Sequence, residues 1–420
     1  MEITRREPFG TSPNVGSRGS STYRRILEAA LEVFAEHGYY GAQIELITDA
    51  AGCSRPALYQ YFSSKSEVFW RLAGELAEAL NGLTKQLGRS APNEAGVEQL
   101  IHWFEGILDI YDSYRPMFNA YSLAAREGQQ QLATGRNVSS RIGHKLLPVP
   151  ESVSPALRTE IEQLALPMVL SGVYYWKLME DVVPRERFIE AAAMTLHRAQ
   201  HGPIKNVNMP SVVDTAPASS KPMPDFEAEI FGEGMSVRGR ETRKLLLTAG
   251  AQVFSAKGFH DARIDDIVAE AGVSHGTFYR HFESKEKFFD ALTVTAMASV
   301  VELIDRYPTS HSDAELHAWM HEWMLNYLRI GGVMSAWTEV HTPGPGRQRY
   351  GSSVALGMVE RVQRILDARG FGDSRADALI MLGILERGPY MAGMYGSSAP
   401  ATTVEAVLFF LKRGLLGVEI

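Results

Sequence analysis

The chain has 420 residues, of which 45% are hydrophobic and 22% charged, and it carries a net charge of -7. No run of about 20 apolar residues occurs, which excludes a membrane-spanning helix. The single cysteine, Cys53, excludes an internal disulfide and a metal site built from cysteines alone.

Residues 1–20 are polar and rich in Gly and Ser, without the apolar segment of a signal peptide, so a reducing, cytoplasmic setting is the expectation. Asn137-Val138-Ser139 matches a glycosylation acceptor by chance under that expectation. Residues 21–70 read as a compact helical unit. Ile26, Leu27, Ala30, Leu31 and Phe34 form one apolar stripe at helical spacing, and Gly38 closes the helix. A second short helix covers 44–51, and Ala51-Gly52-Cys53 makes a tight turn. Ser54 then caps a third helix with Pro56 in its first turn, where a missing N–H costs nothing.

Residues 71–201 keep the helical period, as in 100–110 and 155–179. Residues 202–239, with Pro203, Pro210, Pro217, Pro222 and Pro224, show none and read as an exposed linker. Residues 240–290 then repeat the layout of 21–70, and 291–420 are helical again. The fold class is all-α: two helix-turn-helix units, each followed by a helical domain.

The repeat is exact in phase. With a shift of 220 and no gap, Leu27, Phe34, Gly38, Ile47, Ala51, Gly52, Ser54, Tyr59, Phe62 and Lys65 fall on Leu247, Phe254, Gly258, Ile267, Ala271, Gly272, Ser274, Tyr279, Phe282 and Lys285. A lone helical pair with Gly in its turn is weak evidence, because many helical hairpins look alike; the ordered set found twice is not.

Two short helices joined by a small-residue turn let the second helix enter a DNA major groove. The start of that helix faces base edges: Arg55, Pro56, Ala57, Tyr59 and Gln60 in the first copy, and His275, Gly276, Thr277, Tyr279 and Arg280 in the second. Arg reads guanine and Gln reads adenine through paired hydrogen bonds. Tyr59, Tyr279, Lys65 and Lys285 suit phosphates, beside the capping Ser54 and Ser274. Arg238, Arg240, Arg243 and Lys244 form a basic arm before the second copy, and Arg18, Arg24 and Arg25 a weaker one before the first. The net negative charge does not decide against DNA, since affinity depends on a local basic face.

The run from Ala271-Gly272-Val273-Ser274 through Phe282-Glu283-Ser284-Lys285 resembles the TetR-family DNA-binding signature, and the first copy resembles it through Phe34, Gly38, Ala51, Gly52, Tyr59, Phe62 and Lys65. The resemblance covers about 90 to 95 residues. It implies binding to double-stranded operator DNA, regulation of transcription (most often repression), a small-molecule effector, and pairing of two such units. It also implies phosphate contacts by the matching Tyr and Lys. The sequence departs from the family at Gln43 and Arg263, where Ser or Thr usually caps the helix; both can still donate to phosphate.

Aromatic and Met side chains suit an adaptable apolar pocket, although singly they read as core. Trp103, Tyr111, Tyr114, Met117, Phe118, Tyr175 and Trp176 are the candidates in the first half, and Trp319, Trp323, Tyr327, Met334 and Trp337 in the second. They imply an apolar or aromatic effector. His317 and His321 stand one helical turn apart, but no third ligand appears, and a plain helix face is the reading; neither a metal nor a cofactor is expected. No catalytic motif supports an enzyme. Two arrangements remain open: both copies bind DNA as an intramolecular pseudo-dimer on a non-palindromic operator, or the first copy serves as a scaffold. The pseudo-dimer expects 155–179 and 184–198 to pack against 354–369 and 374–395, with further homodimerisation open.

Overall fold

The computed structural model describes residues 17–125, 129–150, 152–202, 223–310, 312–340, 348–395 and 400–418. Among them every regular element is helical. The first head is α1 (Ser17–Gly41), α2 (Ile44–Ala50) and α3 (Arg55–Tyr59). Its body follows as α4 (Lys65–Leu87), α5 (Glu94–Ala125), α6 (Gln129–Leu146), α7 (Pro155–Leu178) and α8 (Arg185–His201). A short α9 (Phe226–Phe231) leads to the second head, α10 (Val237–Asp261), α11 (Ile264–Ala271) and α12 (His275–His281). The second body is α13 (Lys285–Asp305), α14 (Asp313–Val340), α15 (Gln348–Asp367), α16 (Ser374–Tyr395), α17 (Pro400–Phe409) and a closing π-helical turn, Phe410–Leu415.

With α9 set aside, the eight helices of the first half recur in order in the second. Sequence likeness stops near the start of α4 and α13, whereas the structural repeat runs through both bodies. Local signals start many of the helices. Ser64, Ser154, Ser236 and Ser284 each accept a backbone N–H three residues on, satisfying a donor the helix leaves free.

The linker expectation needs correction at its end. Asp225 caps α9 and Ser236 caps α10, so the last third of 202–239 is largely helical. Ile230 is buried, α9 packs on α13, and the Met223 sulfur lies directly over Gly357 of α15. A few apolar residues dock this stretch, a signal too short to show as helical periodicity. Residues 203–222 lie outside the described residues.

The halves meet along α7 and α16. Helix α17 also packs on α7, and α8 packs on α16 and the π-helical turn. Backbones nearly touch at the crossing: a Cβ on Gly383 would stand 2.5 Å from the Gly172 nitrogen. Polar ties cross the same surface. Thr403 Oγ1 donates to Glu160 Oε1 at 2.8 Å, Arg187 Nε to Asp373 Oδ2 at 2.6 Å, and the buried Arg198 Nε to the Gly414 carbonyl at 2.5 Å. The stretch 354–369 does not take the part expected of it. It belongs to α15, which packs on α16 and α13 of its own half, while α17 supplies the cross-half contact. The heads also approach each other, with the Tyr40 and His260 rings 4.7 Å apart; these positions correspond under the 220-residue shift.

Candidate nucleic-acid interface

Each head is built around a small aromatic core. In the first, Phe34, Tyr39 and Phe69 pack ring to ring; in the second, Phe254, Phe259 and Phe289 do so. Leu58 and Phe278 anchor α3 and α12 to these cores, and both are wholly buried. The turn before each of those helices needs a left-handed residue: Gly52 has φ 59° and Gly272 has φ 63°. A Cβ at either would meet nothing within 4 Å, so backbone conformation rather than space demands glycine there. Ser54 and Ser274 accept the N–H of Ala57 and Thr277 at 3.3 and 3.2 Å.

This construction leaves one face of each head in water. Gln43, Ser54, Arg55, Pro56, Tyr59 and Gln60 are exposed on the first, with Ala57 half-buried. Arg263, Ser274, His275, Gly276, Tyr279 and Arg280 are exposed on the second, with Thr277 half-buried. Tyr59 and Tyr279 keep 47% and 55% of their surface exposed, which sets them apart from the buried core aromatics. The leading side chain of each helix is tethered backward in the same way. Arg55 Nη1 lies 2.5 Å from Glu45 Oε1, and His275 Nε2 lies 2.7 Å from Asp265 Oδ1. Those two acids occupy matching positions, and sequence reasoning passed over both. The heads differ in reach, since α3 has five residues and α12 seven.

Four more of the expected DNA-facing groups have partners within the protein. Lys65 Nζ donates to the Tyr39 carbonyl at 2.6 Å, and Lys285 Nζ donates to the Phe259 and Ala262 carbonyls at 2.9 and 3.1 Å. Each ammonium also sits over a ring, Tyr39 at 4.7 Å and Phe259 at 4.4 Å. The lysines thus tie the start of α4 or α13 to the chain just past the glycine break at Gly38 or Gly258, an inward task unlike a free phosphate contact. Arg240 of the basic arm pairs with Glu227 of α9 at 2.5 Å. Arg243 stacks over Phe282 at 4.0 Å and donates to the His281 carbonyl at 2.6 Å, at the end of α12. Burial, then Arg243 and Arg280, hold the His281 pKa below its usual value.

The unusual N-caps also differ between heads. Gln43 makes no side-chain cap. A guanidinium cannot accept a hydrogen bond, so Arg263 does not cap either. Instead Asp266 accepts the Arg263 backbone N–H at 3.0 Å, and half of a capping box survives.

The effector candidates do not form one cluster. Four tryptophans are core residues with their indole N–H satisfied: Trp103 by Thr84, Trp176 by the Val183 carbonyl, Trp319 by Leu303 and Trp323 by Leu385. Tyr111 stacks on Phe118 at 4.7 Å, and Met117 is buried nearby in the chain. Tyr114 is half-buried at a kink in α5, two residues before Pro116. Met334 packs into the core of the second head, away from Trp319. The Trp337 side chain lies outside the described residues. Tyr175 and Tyr327, from different halves, are buried within electrostatic reach of Glu386, with Arg387 next in the chain; both charged residues went unnoticed in the sequence.

Comparison with known proteins agrees with the geometry of the heads. The profile described as bacterial regulatory proteins, tetR family, matches residues 26–72 and again 246–292. An uncharacterized HTH-type transcriptional regulator of Bacillus subtilis, YdgC, is 42% identical over 71 residues, covering 17% of this chain and 36% of the relative. The transcriptional activator FasR of Mycolicibacterium smegmatis is 34% identical over 97 residues, 22% of this chain and 44% of its own. The transcriptional repressor AcnR of Corynebacterium glutamicum is 36% identical over 73 residues, 17% and 39% respectively. The chain thus matches less than half the length of each of these relatives. A solved TetR-family transcriptional regulator from Pectobacterium atrosepticum aligns over 43% of this chain and 97% of its own, at 22% identity and a TM-score of 0.32, too low to bear on the architecture. The class is therefore a helix-turn-helix protein with two heads. More particularly, the chain carries the TetR-family DNA-binding domain twice, as two TetR-like modules in tandem.

Proposed function

We propose that this protein is a sequence-specific DNA-binding regulator of transcription whose two modules act as one intramolecular pseudo-dimer. The observation that carries the reading is the joining of two exposed helix-turn-helix faces to bodies that pack together through α7, α8, α16 and α17. Ordinary pairing of identical units mirrors a palindromic site. Here Arg55, Pro56 and Ala57 lead one head, and His275, Gly276 and Thr277 lead the other, so the half-sites differ in sequence. Relatives that match the heads include both an activator and a repressor, so similarity in this region does not set the sign of regulation; repression relieved by a small effector is the reading adopted. A cytoplasmic setting accords with the absence, among the described residues, of any helix long and apolar enough to cross a membrane.

Selection from random-sequence duplex DNA tests this. The expected product is one site with two dissimilar half-sites. Arg280→Ala relaxes the sequence preference of one half-site only, at a cost of about 1–3 kcal/mol if Arg280 reads a guanine. Failure to enrich any sequence over nonspecific DNA overturns the proposal, and enrichment of a single half-site favours the scaffold role for the first head.

A further inference from the structure

The two heads touch through a continuous line of rings. In the first head Phe69 packs on Tyr39 with ring centres 5.1 Å apart, and Tyr39 packs edge-on against its neighbour Tyr40 at 5.6 Å. Tyr40 meets His260 of the second head at 4.7 Å. His260 packs edge-on against Phe259 at 5.7 Å, and Phe259 packs on Phe289 at 5.0 Å. Phe69 and Phe289 lie on α4 and α13, so the line runs from one body helix to the other across both head cores. Tyr39, Tyr40 and Phe69 correspond to Phe259, His260 and Phe289 under the 220-residue shift, so the line passes from one copy to the other at its middle step.

The chain that presents this middle pair is held on each side. Tyr39 and Phe259 are buried, just past the glycine breaks at Gly38 and Gly258. Lys65 Nζ bonds the Tyr39 carbonyl and reaches the Tyr40 carbonyl at 3.5 Å. Lys285 Nζ bonds the Phe259 and Ala262 carbonyls, on either side of His260 in the chain. The inward lysines therefore fix the backbone from which Tyr40 and His260 project. Those two side chains are exposed, unlike the rings flanking them, so neither is needed to fill a head core. A lone exposed ring is ordinary; two at matching positions that meet each other make a contact between heads. The contact has a task, because the core of the second head is separate from that of the bodies. Helix α1 of the first head also packs on α14, which enters that separate core.

We infer that Tyr40 and His260 are positioning residues that hold the two recognition helices at one separation and thereby set the half-site spacing the protein accepts. This rests on the DNA-binding reading and adds a spacing requirement to it. On duplex DNA each added base pair moves one half-site by about 3.4 Å and turns it by about 35°. Heads joined ring to ring follow neither change without parting the rings. Aromatic contacts favour the joined state by about two- to tenfold, which is the size of the discrimination expected from the pair.

Two measurements on the full chain keep the inference distinct from the reading beneath it. In the first, without DNA, spin labels are placed on Glu32→Cys and Gln252→Cys, exposed positions that correspond in the two heads. Cys53→Val removes the native thiol, and Val273 stands at the matching place in the second copy. Pulsed electron resonance is expected to give one dominant distance, which broadens when Tyr40→Ala and His260→Ala are added, while the melting temperature holds. An equally narrow distribution in the alanine variant, or an equally broad one with both rings present, overturns the inference. In the second, the selected operator is lengthened or shortened by one base pair between its half-sites. The resulting loss of affinity is expected to be about two- to tenfold smaller in the Tyr40→Ala/His260→Ala variant than in the unsubstituted chain. Equal losses overturn the inference. Tyr40→Phe, which keeps the ring, should match the unsubstituted chain, and tolerance equal to that of the alanine variant would contradict the ring contact. Absence of any selectable operator would overturn the DNA-binding reading, and the distance measurement would still decide whether the rings hold the heads.

Discussion

The two heads share a core design and differ in how they are joined to the rest of the molecule. The apolar core of the first head runs without a break along α4 into Leu72, Leu76 and Leu80, and from there through both bodies. The second head has a core of its own, which ends near Ala296 on α13 and includes Ile330, Val333 and Ala336 from α14. There the helices nearly touch, since a Cβ on Gly332 would meet Ser255 Cα at 2.2 Å. The core of the first head is thus continuous with that of the bodies, whereas the second head has a separate core joined to them along α13 and α14. The second head therefore meets the bodies through two helices, α13 and α14, rather than through a shared core. The lesson is that near-identical reading units can be given unequal freedom by the scaffold beneath them.

The largest expected effect comes from parting the halves. Gly383→Leu drives a side chain into the backbone of α7, where nothing flexible can yield. Overpacking of this kind typically costs about 1–3 kcal/mol, and backbone contact puts it at the upper end. Thermal unfolding should fall, and affinity for a two-half-site operator should drop toward that of a single head. A variant with both properties intact would show that the heads do not depend on this crossing.

Removing the lysine ties sharpens the comparison of heads. Lys285→Ala removes two charge-assisted bonds and Lys65→Ala their equivalents, each bond being worth about 1.5–3 kcal/mol where it is shielded from water. Lys285→Ala should loosen the second head alone, seen as faster amide exchange over α10–α12, while Lys65→Ala should destabilise the molecule more broadly. A lysine that contacts phosphate instead would leave exchange unchanged and lower the slope of log affinity against log salt by about one.

These contrasts mark what the sequence could and could not disclose. The heads were legible because Gly52, Gly272, Ser54 and Ser274 have strict local jobs, and each appears twice in phase. The bodies carry no such punctuation. Their helices could be read from periodicity, but not which of them meet, because apolar faces are interchangeable until packed. The inward turn of Lys65 and Lys285 was hidden for a related reason: their carbonyl partners lie more than 20 residues away and carry no side-chain signature. Glu386 and Arg387 drew no notice in the sequence, because charged neighbours on a helix ordinarily face water, and in the fold both are half-buried.

The smallest expected effect is one of pH. Burial lowers the pKa of His197, whose Nε2–H donates to the Ala91 carbonyl at 2.8 Å, and of His201 beside it. The folded protein therefore favours the neutral rings. Their stabilising contribution is complete above the unfolded value of 6.5 and declines as pH falls below it. Melting temperature should fall between about pH 7.5 and about pH 5.5, and less so in His197→Gln, which keeps a donor and cannot titrate. An equal fall in that variant would assign the effect to other groups.

The central claim is that one chain does the work of two paired subunits, and the mass of the protein–DNA complex tests it most directly. Native mass measurement on a duplex carrying the selected operator, combined with base-by-base substitution, should give one 46.5 kDa chain per operator and two half-sites with different preferences. Two chains on a perfect palindrome, each using the same head, would contradict it.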